Sequence, residues 1–213
     1  MRKTISSFLL LISALSIATG VRAQSKGAYL GVGAGISNAS FNSNDFSLGL
    51  PGVAESADKT STGAKVFAGL RFNRNLEAEV SYVNLGKFKY SYSGAPATGS
   101  AVIDYKVSGF AVSVVPMLPV SEEFSLFCRV GGFGSTAKAS VSSATGPAFA
   151  GLAGFSDSAN KTTFYFGAGA QYDSFRRIGV RVEYENYGEV GDSNSVGRVK
   201  VSLISASLVF RFQ

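Results

Sequence analysis

The sequence predicts an all-β fold: an eight-stranded antiparallel up-and-down transmembrane β-barrel, preceded by a cleaved signal peptide. Three observations carry that expectation. Segments about as long as the 9 to 11 residues a tilted strand needs to cross a bilayer alternate between apolar and polar residues through most of the chain. Charged residues within those segments keep to one parity, so they share a face that must look away from lipid. The chain also opens with Arg2 and Lys3, an apolar run from Phe8 to Ala18, and Val21-Arg22-Ala23 before Gln24, the layout of a secretory leader.

Cleavage after Ala23 divides the chain into a signal peptide, 1–23, and a barrel domain, 24–213. The apolar run of the leader is too short for a spanning helix, and no later run is apolar for that length. Arg2, Lys3 and Arg22 leave with the leader, so the excess of 20 basic over 14 acidic residues narrows and gives no reason to expect nucleic acid as a partner. Cys128 is the single cysteine, which rules out an internal disulfide and, by its position, a lipoprotein anchor. On the lipid-facing parity it reads as a small hydrophobe.

The organising stretch is Lys106 to Gly134, two long alternating arms joined by a tight turn around Pro119, Glu122 and Glu123. Its second arm puts Arg129 on one face and Leu126, Cys128 and Val130 on the other. Before it, the first strand is expected at Ala28 to Ser37, with Gly31, Gly33 and Gly35 supplying the small side of a crowded barrel interior. These glycines do not make a dinucleotide site, because Asn38 to Asp45 offers no amphipathic helix. A polar loop follows over Asn38 to Ser61, carrying Phe41, Phe46, Leu48, Leu50 and Val53.

Thr62 to Phe72 and Leu76 to Gly86 form a hairpin about Asn73-Arg74-Asn75. Phe72 opposite Leu76 would set Arg71 against Glu77 and Gly69 against Glu79. A second loop is expected over Lys87 to Ala101 and a third over Ala137 to Asn160, the latter mobile because it is poor in charge and rich in Ala, Gly and Ser. The last strands are Thr162 to Tyr172, Ile178 to Tyr187 and Lys200 to Phe212, with a turn at Asp173 to Arg177 and a loop at Gly188 to Val199.

One parity of these strands collects Lys65, Arg71, Glu77, Glu79, Arg129, Arg181, Glu183, Glu185 and Arg211, an almost neutral set suited to pairing inside a narrow lumen. The other parity carries Phe72, Tyr82, Phe164, Tyr172, Tyr184 and Phe212 near strand ends, as membrane girdles do. A soluble barrel with a ligand cavity would show the opposite polarity. Lys87, Lys89, Lys106, Lys138, Lys161, Arg198 and Lys200 fall near the loop-side strand ends and form a candidate collar for lipopolysaccharide phosphates. With no histidine, one thiol and no calcium-type loop, the sequence offers no metal or cofactor site and no base for a serine nucleophile.

Three stretches, KVSGFAVSVVPMLPVSEEFSLFCRVGG, YDSFRRIGVRVEYEN and the closing SLVFRF, resemble the membrane domain of the outer membrane protein A family. The resemblance implies an integral outer-membrane protein with extracellular loops, lipid and lipopolysaccharide as neighbours, and delivery by the barrel assembly machinery. A monomer is expected. In that family an interior arginine and glutamate form a salt bridge that gates a very narrow lumen, and Arg129 and Glu79 stand at the matching positions. Val115 replaces the lysine that offers the glutamate another partner, which leaves Lys65 as the substitute. Larger members continue into a peptidoglycan-binding domain; this chain is expected to end with the barrel, like the small barrels related to attachment and invasion proteins. Leu208, Phe210 and Phe212 match the family's assembly signal, displaced by one residue by Gln213.

The expected function is a non-enzymatic structural role in the outer membrane, with surface loops for adhesion or contact with host cell-surface or matrix molecules. The alternative is a narrow gated pore. A lipid A-modifying enzyme is disfavoured, because the resembling membrane enzymes rely on histidine.

Overall fold

Alternation is obeyed almost residue by residue in the strands of the computed structural model, which describes residues 27–46, 52–94, 99–147, 149–175, 177–193 and 195–212. The leader expected at 1–23, together with Leu48, Leu50 and Gln213, lies outside them. The described elements are β1 (Gly27–Phe41), the single helical turn α1 (Ser43–Phe46), β2 (Ala54–Asp58), β3 (Thr60–Asn73), β4 (Leu76–Ser93) and β5 (Ser100–Pro119). They continue with β6 (Phe124–Thr145), a 3-10 turn (Ala150–Leu152), β7 (Ser156–Phe175), β8 (Ile178–Val190) and β9 (Val199–Phe212).

Every sequence neighbour from β3 to β9 pairs antiparallel, β1 pairs with both β3 and β9, and the ring of eight strands closes. Closure removes the free edges that lipid could not satisfy. The ninth strand, β2, continues β3 past Lys59 and pairs with the distal part of β4. In the β3–β4 hairpin Arg71 stands opposite Glu77 and Gly69 opposite Glu79, as expected. The turn is tighter than three residues, however. Asn73 pairs with Leu76, and a bulge between Arg71 and Asn73 absorbs the offset, so Phe72 does not face Leu76.

The second and third loops are largely strand. β4 runs on to Ser93 and β5 begins at Ser100, while β6 reaches Thr145 and β7 begins at Ser156. The stretch expected to be mobile is thus paired on both sides, with Lys106 opposite Lys138 and Ala137 opposite Ala159. Small uncharged residues read as loop composition. Here they are the residues that fit the interior, since Ala137, Ala139 and Ala159 are all buried. Loop one likewise contains α1 and β2, and Phe46 is buried rather than displayed.

Polarity reverses along the barrel axis. Toward the short turns, Leu30, Val32, Val66, Val112, Leu126, Val180 and Leu208 are exposed outside, while the charges lie within. Toward the extended end, the interior is apolar and aromatic, holding Leu85, Phe88, Tyr90, Tyr105, Phe133, Tyr187, Val199 and Leu203. Where lipid bathes the outside, the apolar residues belong outside. Where water bathes it, they belong inside. Two glycines make the charged half fit: a Cβ at Gly31 would stand 2.1 Å from the Phe67 ring, and one at Gly69 2.1 Å from the Tyr29 ring.

Candidate functional site

Strand parity delivers interior charges from four strands, β3, β4, β6 and β8, to one level of the lumen. Arg71 bonds Glu77 at 2.5 Å, Glu77 meets Arg181 at 3.3 Å, and Arg181 holds Glu79 at 2.7 Å. Glu79 also pairs with Arg129, which reaches Glu183 at 3.0 Å and Glu185 at 3.3 Å. Lys65 closes the series on the same two carboxylates, at 2.6 and 2.7 Å. Four cations and four carboxylates thus form one continuous chain across the lumen. Removing ions from water costs several kcal/mol each, and only this mutual pairing offsets it.

Aromatic rings hold the chain in place. The Arg181 guanidinium lies 4.9 Å from the Phe127 ring centre, 5.2 Å from Phe67 and 5.7 Å from Tyr29. Its Nε donates to Gln171, and the Tyr29 hydroxyl donates to Glu79 at 3.1 Å. Arg211 stands apart from the chain and pairs with Asp173 at 2.6 Å. Val115 packs with Met117 and Phe127, so an apolar contact occupies the place where the family resemblance puts a lysine. Lys65 sits on Glu183 and Glu185.

Tyr29, Gln171, Phe127 and Asp173 were not among the site residues read from the sequence. All four were within reach of the parity argument. Tyr29 precedes the inward glycines by two, and Asp173 continues the inward series of Tyr165 and Gln171 into what composition marks as a turn.

Above the charges, Tyr165 and Tyr187 stack at 5.4 Å with Phe133 against them. The mouth is then filled from loop one. Phe46 stacks on Tyr90 at 5.1 Å and meets Phe41 edge-on at 5.0 Å. The Tyr92 hydroxyl donates to the Phe46 carbonyl, and that of Tyr105 donates to the Gly197 carbonyl. Asp45 accepts two bonds from the Arg198 guanidinium, at 2.7 and 3.0 Å, which tie α1 to the start of β9. Those bonds hold the Asp45 carboxyl below its ordinary range. Burial, aided by Glu55, pushes the Tyr90 hydroxyl up to about 12.

The basic residues of the expected collar separate into two groups. Lys87, Lys161 and Arg198 have carboxylate partners in Asp104, Glu189 and Asp45. Lys89, Lys106, Lys138 and Lys200 are exposed on the outer wall. Leu208, Phe210 and Phe212 line the outer face of β9.

A closed antiparallel ring with an apolar outer band and an ionic interior defines an integral β-barrel of the outer membrane. The chain belongs to the OmpA-like transmembrane domain family, whose profile matches residues 23–213. It is 28% identical to outer membrane protein A of Shigella flexneri over 153 residues, covering 70% of this chain and 40% of that protein. The corresponding figures for outer membrane protein A of Salmonella typhi are 26%, 153 residues, 70% and 40%. The chain thus matches about two-fifths of the length of these curated relatives.

Among solved structures, Neisserial surface protein A superposes with a TM-score of 0.57 at 14% identity, over 89% of this chain and 100% of that one. Ail, the attachment invasion locus protein of Yersinia pestis, superposes at 0.54 with 20% identity and the same coverage. A second Ail structure, in complex with the heparin analogue sucrose octasulfate, superposes at 0.53. At these identities the likeness is one of fold.

Proposed function

We propose that this barrel is a non-enzymatic surface protein that presents a rigid extension for attachment to host-cell or matrix molecules. The observation that carries the reading is the continuation of β4, β5, β6 and β7 beyond the lipid band, packed around an aromatic core that holds the mouth residues in fixed positions. A surface ordered before binding loses less entropy on contact. The likeness to Ail, whose name describes attachment and invasion, supports the same reading. The absence of histidine from the sequence argues against the catalytic alternative.

The test compares three strains: one lacking the protein, one carrying it, and one whose variant joins β4 to β5 and β6 to β7 by short turns just above the lipid band. Attachment to host cells and immobilised matrix proteins should fall alike in the first and third. Equal attachment by all three would remove the support for this reading.

A specific observation also favours the pore reading. Arg129 has Glu79 on one side and Glu183 with Glu185 on the other, so a carboxylate remains in reach if either side is vacated. The aromatic mouth argues that conduction needs more than that movement. In planar bilayers the intact protein should give rare, small openings, which become frequent when Phe46 is replaced by Ala.

A further inference from the structure

The outer wall changes character in two steps above the lipid band. Strand register joins Asn84, Ser108, Thr136 and Asn160 side by side across β4 to β7. It likewise joins Asn186, Ser202, Asn38 and Thr60 across β8, β9, β1 and β3. An amide-and-hydroxyl belt therefore stands just above the exposed Phe110, Phe164 and Ile204. On β5 the next outward residue above this belt is Lys106, which faces Lys87 on one side and Lys138 on the other.

Three like charges directly opposite one another repel. Among the described residues only Lys87 of the three has an ion pair, to Asp104 at 2.9 Å. Lys89 flanks the row, opposite Asp104 on β5 and Asp58 on β2. On the far side of the barrel Lys200 faces Ser40 and Glu189, so the row with an excess of positive charge belongs to β4, β5 and β6.

We infer that Lys87, Lys106 and Lys138 bind the phosphates of a phosphorylated glycolipid of the outer leaflet. The order of the wall matches such a lipid from the chains upward. Acyl chains meet the apolar band, sugar hydroxyls meet the Asn/Ser/Thr belt, and phosphates meet the lysines. Lys106 lies four residues above Phe110, about 13 Å along the strand, or roughly 10 Å of height at the usual barrel tilt. The row spans about 10 Å across three strands. A soluble polyanion would not need the belt beneath.

The inference deepens the surface-protein reading and rests on its membrane placement. It is tested apart from attachment, with the folded full-length mature chain in zwitterionic detergent. Bisphosphoryl and dephosphorylated lipid A are titrated and bound lipid is counted by native mass spectrometry. Folding is checked by the different gel migration of unheated and boiled samples. The wild type should prefer the phosphorylated lipid by about tenfold to a hundredfold. The combined variant Lys87→Gln, Lys106→Gln, Lys138→Gln should lose that preference. An equal-charge control, Lys59→Gln, Arg74→Gln, Arg177→Gln, with two of its sites at the short-turn end, should keep it within about threefold.

Absence of a preference in the wild type overturns the assignment, as does an equal loss in both variants, which would mean attraction by overall charge. Uptake of sucrose octasulfate through the same three lysines, with no preference among lipids, would assign the row to a soluble polyanion and also overturn it. Cells carrying the lysine variant are scored separately for attachment. Lost lipid preference with retained attachment supports the lipid site and leaves the attachment reading standing.

Discussion

Arg129 on β6 pairs with Glu79 on β4 and, 3.0 Å from its other nitrogen, with Glu183 on β8, so one guanidinium spans the lumen between opposite walls. All three side chains are wholly buried. Substituting Glu79→Gln would leave Arg129 and Arg181 short of a shared counter-ion. The expected loss is about 3–5 kcal/mol, because four interior cations are then left with three carboxylates, Glu77, Glu183 and Glu185. Adding Arg129→Met should restore part of it, since the cation is removed as well. Urea unfolding of the refolded barrel in liposomes measures both, and strictly additive losses would mean that the two residues are not coupled.

Arg181 depends on its planar fork. It bonds Gln171, Glu77 and Glu79 at once and lies against three rings. Lysine offers a point charge without that geometry. Arg181→Lys should therefore destabilise the barrel by roughly 2 kcal/mol or more, despite the unchanged charge, as read by the shift in urea midpoint.

Gly69 leaves room for the Tyr29 ring. Gly69→Ala should cost about 1–3 kcal/mol through overpacking, and Tyr29→Leu in the same chain should recover most of it. A loss that persists in the double variant would place the strain in the backbone.

The Asp45–Arg198 pair should make the hold on α1 pH-dependent in one direction. Because the Asp45 carboxyl is held below its ordinary range, the contact contributes fully above the free aspartate value of about 3.9 and fades as pH falls through the lowered one. Neutral and mildly acidic conditions should leave the Arg198 Nε–H resonance protected in NMR. Strong acid should release it, and Asp45→Asn should weaken it at every pH.

The ring of strands and the parity of the charges are legible because lipid outside and ions inside impose one rule on alternate residues. The Arg71–Glu77 pairing holds although the turn expected to set it does not form, because the bulge between Arg71 and Asn73 restores the register. Above the lipid band the rule inverts and composition misleads, because small residues such as Ala137, Ala139 and Ala159 suit a loop or a crowded interior equally well until their partners are known. Asp173 was missed for a related reason, since turn composition hid an inward position that Arg211 occupies from a strand 38 residues away in sequence. Tertiary pairs such as Asp45 with Arg198 leave no local pattern to read.

The central claim is a closed barrel whose polarity reverses at the membrane surface. Its most direct test is a spin-label series along β6, one cysteine at a time in a Cys128→Ser background, reconstituted in bilayers and probed with oxygen and a water-soluble relaxation agent. Outward positions from Leu126 to Gly132 should favour oxygen, with Cys128 itself as the native site, and those from Thr136 to Ser140 the aqueous agent. Inward positions from Phe127 to Ala139 should resist both. Aqueous access along the inward series would mean an open channel, and oxygen-dominated access at Lys138 would put the extension inside the membrane; either result would contradict the account.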